Sequence, residues 1–336
     1  MQLNFEQTGE FIMLYREFGQ TGWKVSAIGL GTWNIGNQWG EIDDATAFAT
    51  VRSAIDNGVN LFDCAESYGI PQGLSEQRLG VALTGIRHKV HLVSKIGHWG
   101  NRTHQHIPKD SVDNIRLCAH ASLYRLRTDW IDALLCHEGD IEDPTIYLEA
   151  FEVLKQQGHI RVYGISTNNF EALKRFNANN TCRVVELEYS LLNRDAESQI
   201  LPYCQEHGIA VLVRGPLAKG LLSGKYSNDT VFTDSVRAKW YKKESKQLKI
   251  QNHIATVENL KKTLTPGEEM VTAALGFVIS HPVQPVAIPG AKSPEQAATN
   301  SKAGDRVLSA EERNNLLNCL ESQIDERETA MVGVTE

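Results

Sequence analysis

The sequence predicts an α/β protein built as one (β/α)8 TIM barrel, in which eight parallel strands alternate with helices. Eight short apolar stretches are separated by segments whose apolar residues recur at helical spacing. Alternation of strands and helices along a chain indicates a parallel sheet. The length of 336 residues exceeds that of an ordinary single domain but suits an undivided barrel of eight units.

The predicted elements follow one another in strict order. We assign strands to residues 27–32, 60–63, 90–95, 131–137, 161–166, 183–189, 209–214 and 286–289. Helices are predicted at residues 43–57, 75–83, 108–126, 144–157, 170–177, 197–207 and 265–280. Residues 13–18 and 23–26, around a glycine-bounded turn, predict an N-terminal β-hairpin. No G-x-G-x-x-G motif follows a strand, which argues against an open doubly wound sheet.

No linker or change of composition divides the chain. We therefore expect one domain over residues 12–320, with an N-terminal extension at residues 1–11 and an acidic, frayed tail at residues 321–336. Apolar residues make up 41% of the chain and charged residues 22%, which predicts a large ordered core rather than disorder.

Composition also excludes several classes of function. A net charge of −7 argues against non-specific binding to nucleic acid or to an anionic membrane. No apolar run approaches the roughly 18 residues that cross a bilayer, and the first residues lack a signal-peptide pattern. The six cysteines are scattered without a C-x-x-C pair, which predicts reduced thiols in a cytoplasmic protein. Nothing in the sequence indicates an oligomeric state.

Polar residues end three successive predicted strands. The strand 60–63 ends at Asp63, the next reaches Lys95, and the third ends at His137; Tyr68 follows Asp63 by five residues. A carboxylate at the end of a buried strand is costly unless a cation meets it. Because barrels keep their chemistry at the carboxyl ends of their strands, we expect these four side chains to meet.

The four residues have the chemistry for moving a proton to or from a carbonyl oxygen. A tyrosine hydroxyl has a pKa of about 10, which a neighbouring ammonium lowers. We expect Lys95 to lower the pKa of Tyr68, Asp63 to hold Lys95 in place, and His137 to orient a substrate oxygen. Singly, such an aspartate can cap a loop and such a histidine can be structural; the joint placement favours catalysis.

Several motifs now indicate a family. They are Gly29-Leu-Gly-Thr-Trp33, Asp63-x-Ala-x-x-Tyr68-Gly69, Ser94-Lys95, His137, Gly164-Ile-Ser166, Glu188-Tyr-Ser190, Gly215-Pro-Leu217, Gly220-Leu-Leu-Ser-Gly-Lys225-Tyr226 and Ile288-Pro-Gly290. In this combination and order, the chain from Leu14 to about Leu320 resembles aldo-keto reductases of the bacterial and potassium-channel β-subunit-like branch. The resemblance implies a barrel closed at its bottom by the N-terminal hairpin.

It also implies a reaction and its residues. An enzyme of this family reduces a small aldehyde or ketone to an alcohol, with NADPH as the hydride donor. By the resemblance, Tyr68 is the general acid, Lys95 tunes it, Asp63 pairs with Lys95, and His137 orients the carbonyl group. A nicotinamide-binding regulatory or redox-sensing subunit with slow turnover is the alternative that the same branch offers.

The resemblance further implies a cofactor site along one side of the barrel mouth. Thr32 and Trp33 would lie near the nicotinamide, Ser166 and Asn168 at its carboxamide, and Tyr189 stacked on its ring. The pyrophosphate would contact Arg214, Gly215, Pro216, Leu217, Lys225 and, more weakly, Arg237. The adenosine would contact Gly290, Lys292, Ser293, Gln296 and Asn300. A helix beginning near Pro294 would also suit a phosphate.

Two departures from the family pattern affect these expectations. Relatives commonly have glutamine where this chain has Glu186, which we expect either at the carboxamide or paired with a barrel cation. Many relatives have arginine where Gln296 stands, so the 2′-phosphate would depend mainly on Lys292. We expect NADPH, with NADH less favoured.

Three further features of the sequence allow other interpretations: Lys95, residues 97–107 and residues 237–246. A Schiff-base aldolase would need a neutral Lys95, which Asp63 opposes. Residues 97–107 contain three histidines and would wall the substrate pocket, but no cysteine or acid completes a metal site there, and no metal is expected. The basic run 237–246 is either a solvated helix face or a lid over the cofactor phosphates.

Overall fold

Ten strands and ten α-helices make up the chain over residues 12–242 and 244–332, which a computed structural model describes. The strands are β1 Tyr15–Glu17, β2 Lys24–Ser26, β3 Leu30–Gly31, β4 Leu61–Asp63, β5 His91–Ile96, β6 Ile131–Cys136, β7 Ile160–Ser166, β8 Val184–Glu188, β9 Ala210–Arg214 and β10 Val286–Ala287. The helices are α1 Asp44–Asp56, α2 Leu74–Ala82, α3 Val112–Leu126, α4 Thr145–Gln156, α5 Phe170–Phe176, α6 Ile200–His207, α7 Glu244–Lys261, α8 Met270–Ile279, α9 Pro294–Lys302 and α10 Ala310–Val332.

Strands β3 to β10 form one eight-stranded parallel sheet in chain order. The sheet closes on itself, because the segment that leads into β3 bonds to β10. The Gly29 N–H donates to the Ala287 carbonyl at 2.8 Å, and the Ala287 N–H donates to the Ala27 carbonyl at 3.1 Å. Closure leaves no free sheet edge. The predicted TIM barrel is confirmed.

The N-terminal hairpin closes the bottom of the barrel. Strands β1 and β2 pair antiparallel, with Tyr15 opposite Ser26. Phe18 and Val25 are buried against the lower interior of the barrel, where Leu61, Val93 and Leu135 lie. Full burial of a side chain the size of phenylalanine contributes about 1.5–3 kcal/mol. The hairpin therefore acts as an apolar plug.

The helices form where their caps and apolar spacing predict. Helix α1 begins after Asp43, whose carboxylate accepts from the Thr46 N–H at 2.7 Å. Its apolar residues Ala47, Val51 and Ala54 recur at helical spacing and are all buried. The five helices that follow are observed within a few residues of their predicted bounds, whereas α8 begins at Met270, later than the predicted start at residue 265.

Two helices were not predicted. Helix α7 is polar along most of its length and buries Ile254, Val257 and Leu260. Helix α10 continues past Glu321, where we expected a frayed tail, and reaches Val332. No glycine or proline interrupts it before Gly333, which explains the continuation. The predicted extension 1–11 and residues 333–336 lie outside the described residues.

Two expectations from composition bear on the fold. All six cysteines are free thiols, and five of them are buried. Within the described residues, none of the helices combines the length and the apolar character that crossing a bilayer requires.

Candidate active site

A cavity of about 910 Å³ opens at the carboxyl ends of the barrel strands. Polar side chains from the ends of β4, β7, β8 and β9 reach it, as does His137 directly after β6. The sequence-predicted residues that line it are Trp33, Asp63, Tyr68, His137, Ser166, Asn168, Arg214, Gly215, Pro216, Leu217, Lys225, Arg237, Gly290, Lys292, Gln296 and Asn300. One cavity therefore joins the predicted catalytic residues to most of the predicted cofactor residues.

The loop after β4 presents Tyr68 at the floor of this cavity. The adjacent Gly69 has a φ of 126°, in the region that favours glycine. Its N–H donates to the Gln38 side-chain oxygen at 2.6 Å, and the Ser75 N–H at the start of α2 donates to the Tyr68 carbonyl at 3.2 Å. The tyrosine is thus held from both sides by backbone hydrogen bonds.

Lys95 lies directly beneath Tyr68. Its ammonium donates to the Tyr68 hydroxyl at 3.2 Å, to Asp63 Oδ1 at 2.5 Å and to the Cys64 carbonyl at 2.9 Å. Thr32, which does not line the cavity, donates through its hydroxyl to the Asp63 carbonyl at 2.8 Å and supports the strand end. Tyrosine, lysine and aspartate thus form one hydrogen-bonded chain.

Glu186 makes the surroundings of Lys95 more acidic than expected. Its Oε2 lies 3.0 Å from Lys95 Nζ, and its side chain is 1% exposed. Burial lowers the pKa of Lys95, but Asp63 and Glu186 outweigh it and hold that pKa well above its usual value. Lys95 is an ammonium ion, which excludes the Schiff-base alternative.

The hydroxyl of Tyr68 is protonated over the physiological pH range. Burial raises its pKa; Lys95 opposes that rise, as expected, but Asp63 and Glu186 reinforce it. The pKa of Tyr68 is therefore raised and not lowered as predicted, because neither its burial nor the nearby carboxyl group of Glu186 can be read from local sequence patterns. A protonated tyrosine is the state from which a proton can be donated.

Aromatic rings surround this hydroxyl on the cavity side. The Trp33 ring stacks on the Tyr68 ring with centroids 5.6 Å apart, and the His137 ring meets it edge-on at 6.1 Å. Burial, aided by Lys95 and His98, lowers the pKa of His137 well below its usual value. His137 is therefore neutral, and a neutral imidazole can still bind a carbonyl oxygen as a hydrogen-bond donor.

The ends of β7, β8 and β9 form the wall next to this centre. The Asn168 side-chain oxygen accepts from the Glu188 N–H at 2.9 Å and from Arg214 at 3.1 Å. Arg214 also donates to Glu188 at 3.1 Å. Ser166 lines the same wall. This network fixes the orientation of the polar groups that a planar amide ligand would meet.

Cations and a helix N-terminus line the far end of the cavity. Lys219, Lys225 and Lys292 reach it, and no ion pair holds any of them within the described residues. Lys292 donates to the Trp39 carbonyl at 3.2 Å. Helix α9 begins there after Ser293, whose hydroxyl caps the Gln296 N–H at 3.3 Å. Such an end attracts phosphate groups.

A cover crosses the cavity between these two ends. We call residues 226–242 the cover segment. Ser235 donates to the Gln38 carbonyl at 2.8 Å, which ties the cover segment to the loop after β3. Arg237 lines the cavity but is paired with Asp234 at 2.7 Å and donates to the Tyr226 hydroxyl at 2.6 Å. Of the basic run, Arg237 lines the cavity, as the lid interpretation expects, and does not lie on a solvated face.

Four of the predicted cofactor contacts are not part of the cavity lining: Thr32, Glu186, Tyr189 and Ser293. Tyr189 is fully buried outside the barrel, where its ring stacks on Phe277 and its hydroxyl donates to Glu197. Side chains alternate along a strand, so Glu186 and Glu188 face inward and Tyr189 faces outward. The predicted stacking of Tyr189 on a nicotinamide is therefore wrong.

Glu186 and Ser293 also lie outside the cavity lining, although both were predicted to contact the cofactor. Glu186 lies inside the barrel against Lys95, so the second of its two expected roles, pairing with a barrel cation, is the one observed. The Ser293 side chain caps α9 and is not part of the cavity lining.

Sequence reasoning missed several residues that line the cavity. They include Asn34, Gln38, Trp39, Lys219, Tyr226 and Glu295. His98 and Arg102 belong to the loop that we expected to wall the pocket, and both line it. His98 stacks on His137 with ring centroids 4.1 Å apart. In the sequence these residues share only their position in loops that follow strands. That position indicates which part of the chain lines the cavity, but not which side chains do.

The closed barrel, with Tyr68, Lys95 and Asp63 hydrogen-bonded at its mouth, is the architecture of a class of NAD(P)H-dependent oxidoreductases. The sequence profile of the Aldo/keto reductase family matches residues 27–321. The Aldo-keto reductase YhdN of Bacillus subtilis is 31% identical over 330 residues, which are 94% of this chain and 96% of that protein. The chain belongs to the aldo/keto reductase family.

Solved structures agree in fold. The aldo-keto reductase AKR11C1 from Bacillus halodurans, in its holo form, has a TM-score of 0.74 at 30% identity, over 92% of this chain and 96% of that one. An aldo/keto reductase from Klebsiella pneumoniae in complex with NADP and acetate has a TM-score of 0.67 at 31% identity, over 91% of this chain and 94% of that one.

Proposed function

We propose that the protein reduces a small aldehyde or ketone to an alcohol with NADPH as the hydride donor. One observation carries the proposal: the Tyr68 hydroxyl lies 3.2 Å from Lys95 at the floor of a large cavity, and Lys95 lies 2.5 Å from Asp63. This is the arrangement that a tyrosine needs to act as a general acid.

The cavity residues fit the proposed dinucleotide. Trp33 and Trp39 line the cavity, and their indole nitrogens are buried without a hydrogen-bond partner among the described residues. Lys219, Lys225, Lys292 and the start of α9 would hold phosphate groups, and Ser166 with Asn168 would hold the carboxamide. When bound, the dinucleotide supplies the hydride.

The catalytic residues have distinct roles in this proposal. Tyr68 and neutral His137 hold the carbonyl oxygen by hydrogen bonds, and Tyr68 gives its proton to that oxygen as the alcohol forms. Lys95 stabilises the phenolate that remains on Tyr68, because its ammonium is already in place. Trp33 and the loop after β5 exclude water from the reacting oxygen.

The choice between cofactors depends on the corner around α9. Lys292 is the cation that would meet a 2′-phosphate, while Gln296 accepts from the Lys292 N–H at 3.0 Å and is neutral. Glu295 lines the same corner and opposes an added negative charge. We propose NADPH with a moderate preference over NADH. The free thiols support a reducing, cytoplasmic compartment.

The direct test is NADPH oxidation with a panel of aldehydes, ketones and sugars. We expect NADPH absorbance to fall only when a carbonyl compound is present, with stoichiometric formation of the alcohol. Binding of NADPH by fluorescence, without consumption on any member of the panel, would contradict the proposal and favour a nicotinamide-binding regulatory subunit.

A further inference from the structure

We propose that Asp63 and Glu186 hold a single proton between them, so that Lys95 is flanked by one carboxylate and one carboxylic acid. Glu186 is then a positioning residue, which acts on Tyr68 through the charge around Lys95. The inference rests on the proposed reduction only for its effect on catalysis, because the proton itself can be counted without turnover.

The first observation is the number of oxygen atoms around Lys95. Its nitrogen lies 2.5 Å from Asp63, 2.9 Å from the Cys64 carbonyl, 3.0 Å from Glu186 and 3.2 Å from the Tyr68 hydroxyl. An ammonium group has three hydrogens. These three hydrogens are donated to the Asp63 carboxylate, the Cys64 carbonyl and the Tyr68 hydroxyl. Within the described residues, neither oxygen of Glu186 receives a hydrogen bond.

The second observation is the charge that burial would impose. The side chains of Lys95, Asp63 and Glu186 are 0%, 4% and 1% exposed. Two carboxylates and one ammonium would leave one uncompensated negative charge in the barrel, which is costly. Two carboxyl groups that share a site do not readily ionise together. One proton between them makes the cluster neutral.

Among the described residues, no group next to Lys95 supplies the missing positive charge. Tyr68, above Lys95, is a protonated phenol, and burial raises the pKa of the Cys64 thiol to about 12. His137 at the end of β6 is neutral. The compensation must therefore come from the carboxyl groups themselves.

The positions of the two acids agree with this count. Asp63 Oδ1 and Glu186 Oε2 approach the same nitrogen of Lys95, at 2.5 and 3.0 Å, so the two carboxyl groups share one site. Burial and the neighbouring Glu186 raise the pKa of Asp63 well above its usual value, although Lys95 opposes the rise. With the shared proton, Glu186 also gains a hydrogen-bond partner, which it otherwise lacks among the described residues.

The shared proton sets the net charge of the Lys95, Asp63 and Glu186 cluster beneath the Tyr68 hydroxyl. At neutral pH the cluster has the same net charge that an amide at position 186 would give. Loss of the shared proton at alkaline pH would add a negative charge, raise the pKa of Tyr68 further and favour a positively charged ligand in the cavity.

Infrared difference spectroscopy of the purified protein counts the proton directly. We expect the wild type minus Glu186→Gln spectrum, at about pH 7, to show loss of a carboxylic acid carbonyl band rather than of carboxylate bands. Asp63→Asn should remove the same acid band, because Glu186 then ionises to pair with Lys95. Loss of carboxylate bands in either variant would overturn the proposal.

Glu188→Gln is the matched control. This residue is on the same strand and pairs with Arg214 at the open cavity, 3.1 Å away, so its substitution should remove carboxylate bands. Each amide is close in size to the acid it replaces, and folding is checked by thermal unfolding. If one of the two buried variants fails to fold, the other alone still gives the proton count.

Cofactor affinities provide a second readout. We expect Glu186→Gln at about pH 7 to leave the ratio of NADP+ to NADPH dissociation constants unchanged within about twofold, because no charge is removed. A several-fold loss of NADP+ affinity relative to NADPH would show that Glu186 is ionised and would overturn the shared proton. If the acid band is confirmed but no carbonyl compound is reduced, the proposed function fails and this inference stands.

Discussion

Lys95 is the residue whose surroundings decide what Tyr68 can do. Two carboxyl groups hold it as an ammonium ion under the phenol, and burial keeps the phenol protonated. Tyr68, Lys95, Asp63 and His137 were predictable because each stands at a strand end or just beyond one. The pairing of Glu186 with Lys95 was not predictable, because a sequence does not contain the distances between side chains on different strands. The orientation of Tyr189 could have been predicted from the alternation of side chains along β8.

At the same scale, Lys292 tests the expected preference for NADPH. A charge-assisted hydrogen bond is worth about 1.5–3 kcal/mol, so Lys292→Met should weaken NADPH binding by roughly 10- to 150-fold and leave NADH almost unchanged. Fluorescence titration with both cofactors measures this. Lys302→Met, an exposed residue at the end of α9, is the control and should change neither affinity. Equal weakening of both cofactors would show that Lys292 does not meet the 2′-phosphate.

At the scale of elements, the loop after β5 is attached to the loop that carries Tyr68. Glu66 accepts from the N–H groups of Gly97 at 2.7 Å and Trp99 at 3.1 Å. Arg102 donates back to the Ser67 carbonyl at 2.5 Å and to the Gly69 carbonyl at 3.0 Å. The wall of the proposed substrate pocket is therefore positioned by the same backbone that positions Tyr68.

Arg102 tests this attachment. Arg102→Gln removes two hydrogen bonds worth about 0.5–1.5 kcal/mol each and should loosen the wall. We expect KM for a carbonyl substrate to rise several-fold, with NADPH affinity unchanged. Arg116→Gln, a half-buried residue of α3 outside the cavity lining, serves as the control. An unchanged KM would mean that the wall is held without Arg102, and a change in NADPH affinity would place Arg102 at the cofactor instead.

Predictability differed between elements for physical reasons. Helix α1 and helices α3 to α6 bury a regular apolar face or begin at a cap, and both signals are local. The cover segment and α7 are polar, and they are held by contacts with distant residues such as that of Ser235 with Gln38. Local patterns do not contain such contacts, so the residues of the lid could not be derived.

At the scale of the whole molecule, folding partly buries four histidines. Burial lowers the pKa of His91, His98, His137 and His281 in the folded chain. In the unfolded chain each of these histidines has a pKa of about 6.5. Below that pH the unfolded state binds more protons than the folded state, so the free energy of unfolding falls as pH decreases; above it these groups have no effect.

Urea unfolding between about pH 7.5 and pH 5 measures this dependence. Below about pH 6.5 the histidines should contribute a fall in the free energy of unfolding of about 1.4 kcal/mol per pH unit for each proton taken up, while the proton that Asp63 and Glu186 hold in the folded chain adds a constant slope of opposite sign over the whole range. His137→Gln should make the fall shallower by up to one proton, and His88→Gln, an exposed histidine, should not. A fall of equal slope in all three proteins would contradict the assignment of His137 as a buried neutral group.

The measurement that tests the central claim most directly compares Tyr68→Phe with the wild type in steady-state reduction and in NADPH binding. The substitution keeps the ring that stacks on Trp33 and removes only the hydroxyl that Lys95 contacts. We expect NADPH affinity to remain within about twofold, while kcat falls by at least about 100-fold, as the loss of a general acid predicts. Turnover close to that of the wild type would contradict Tyr68 as the proton donor.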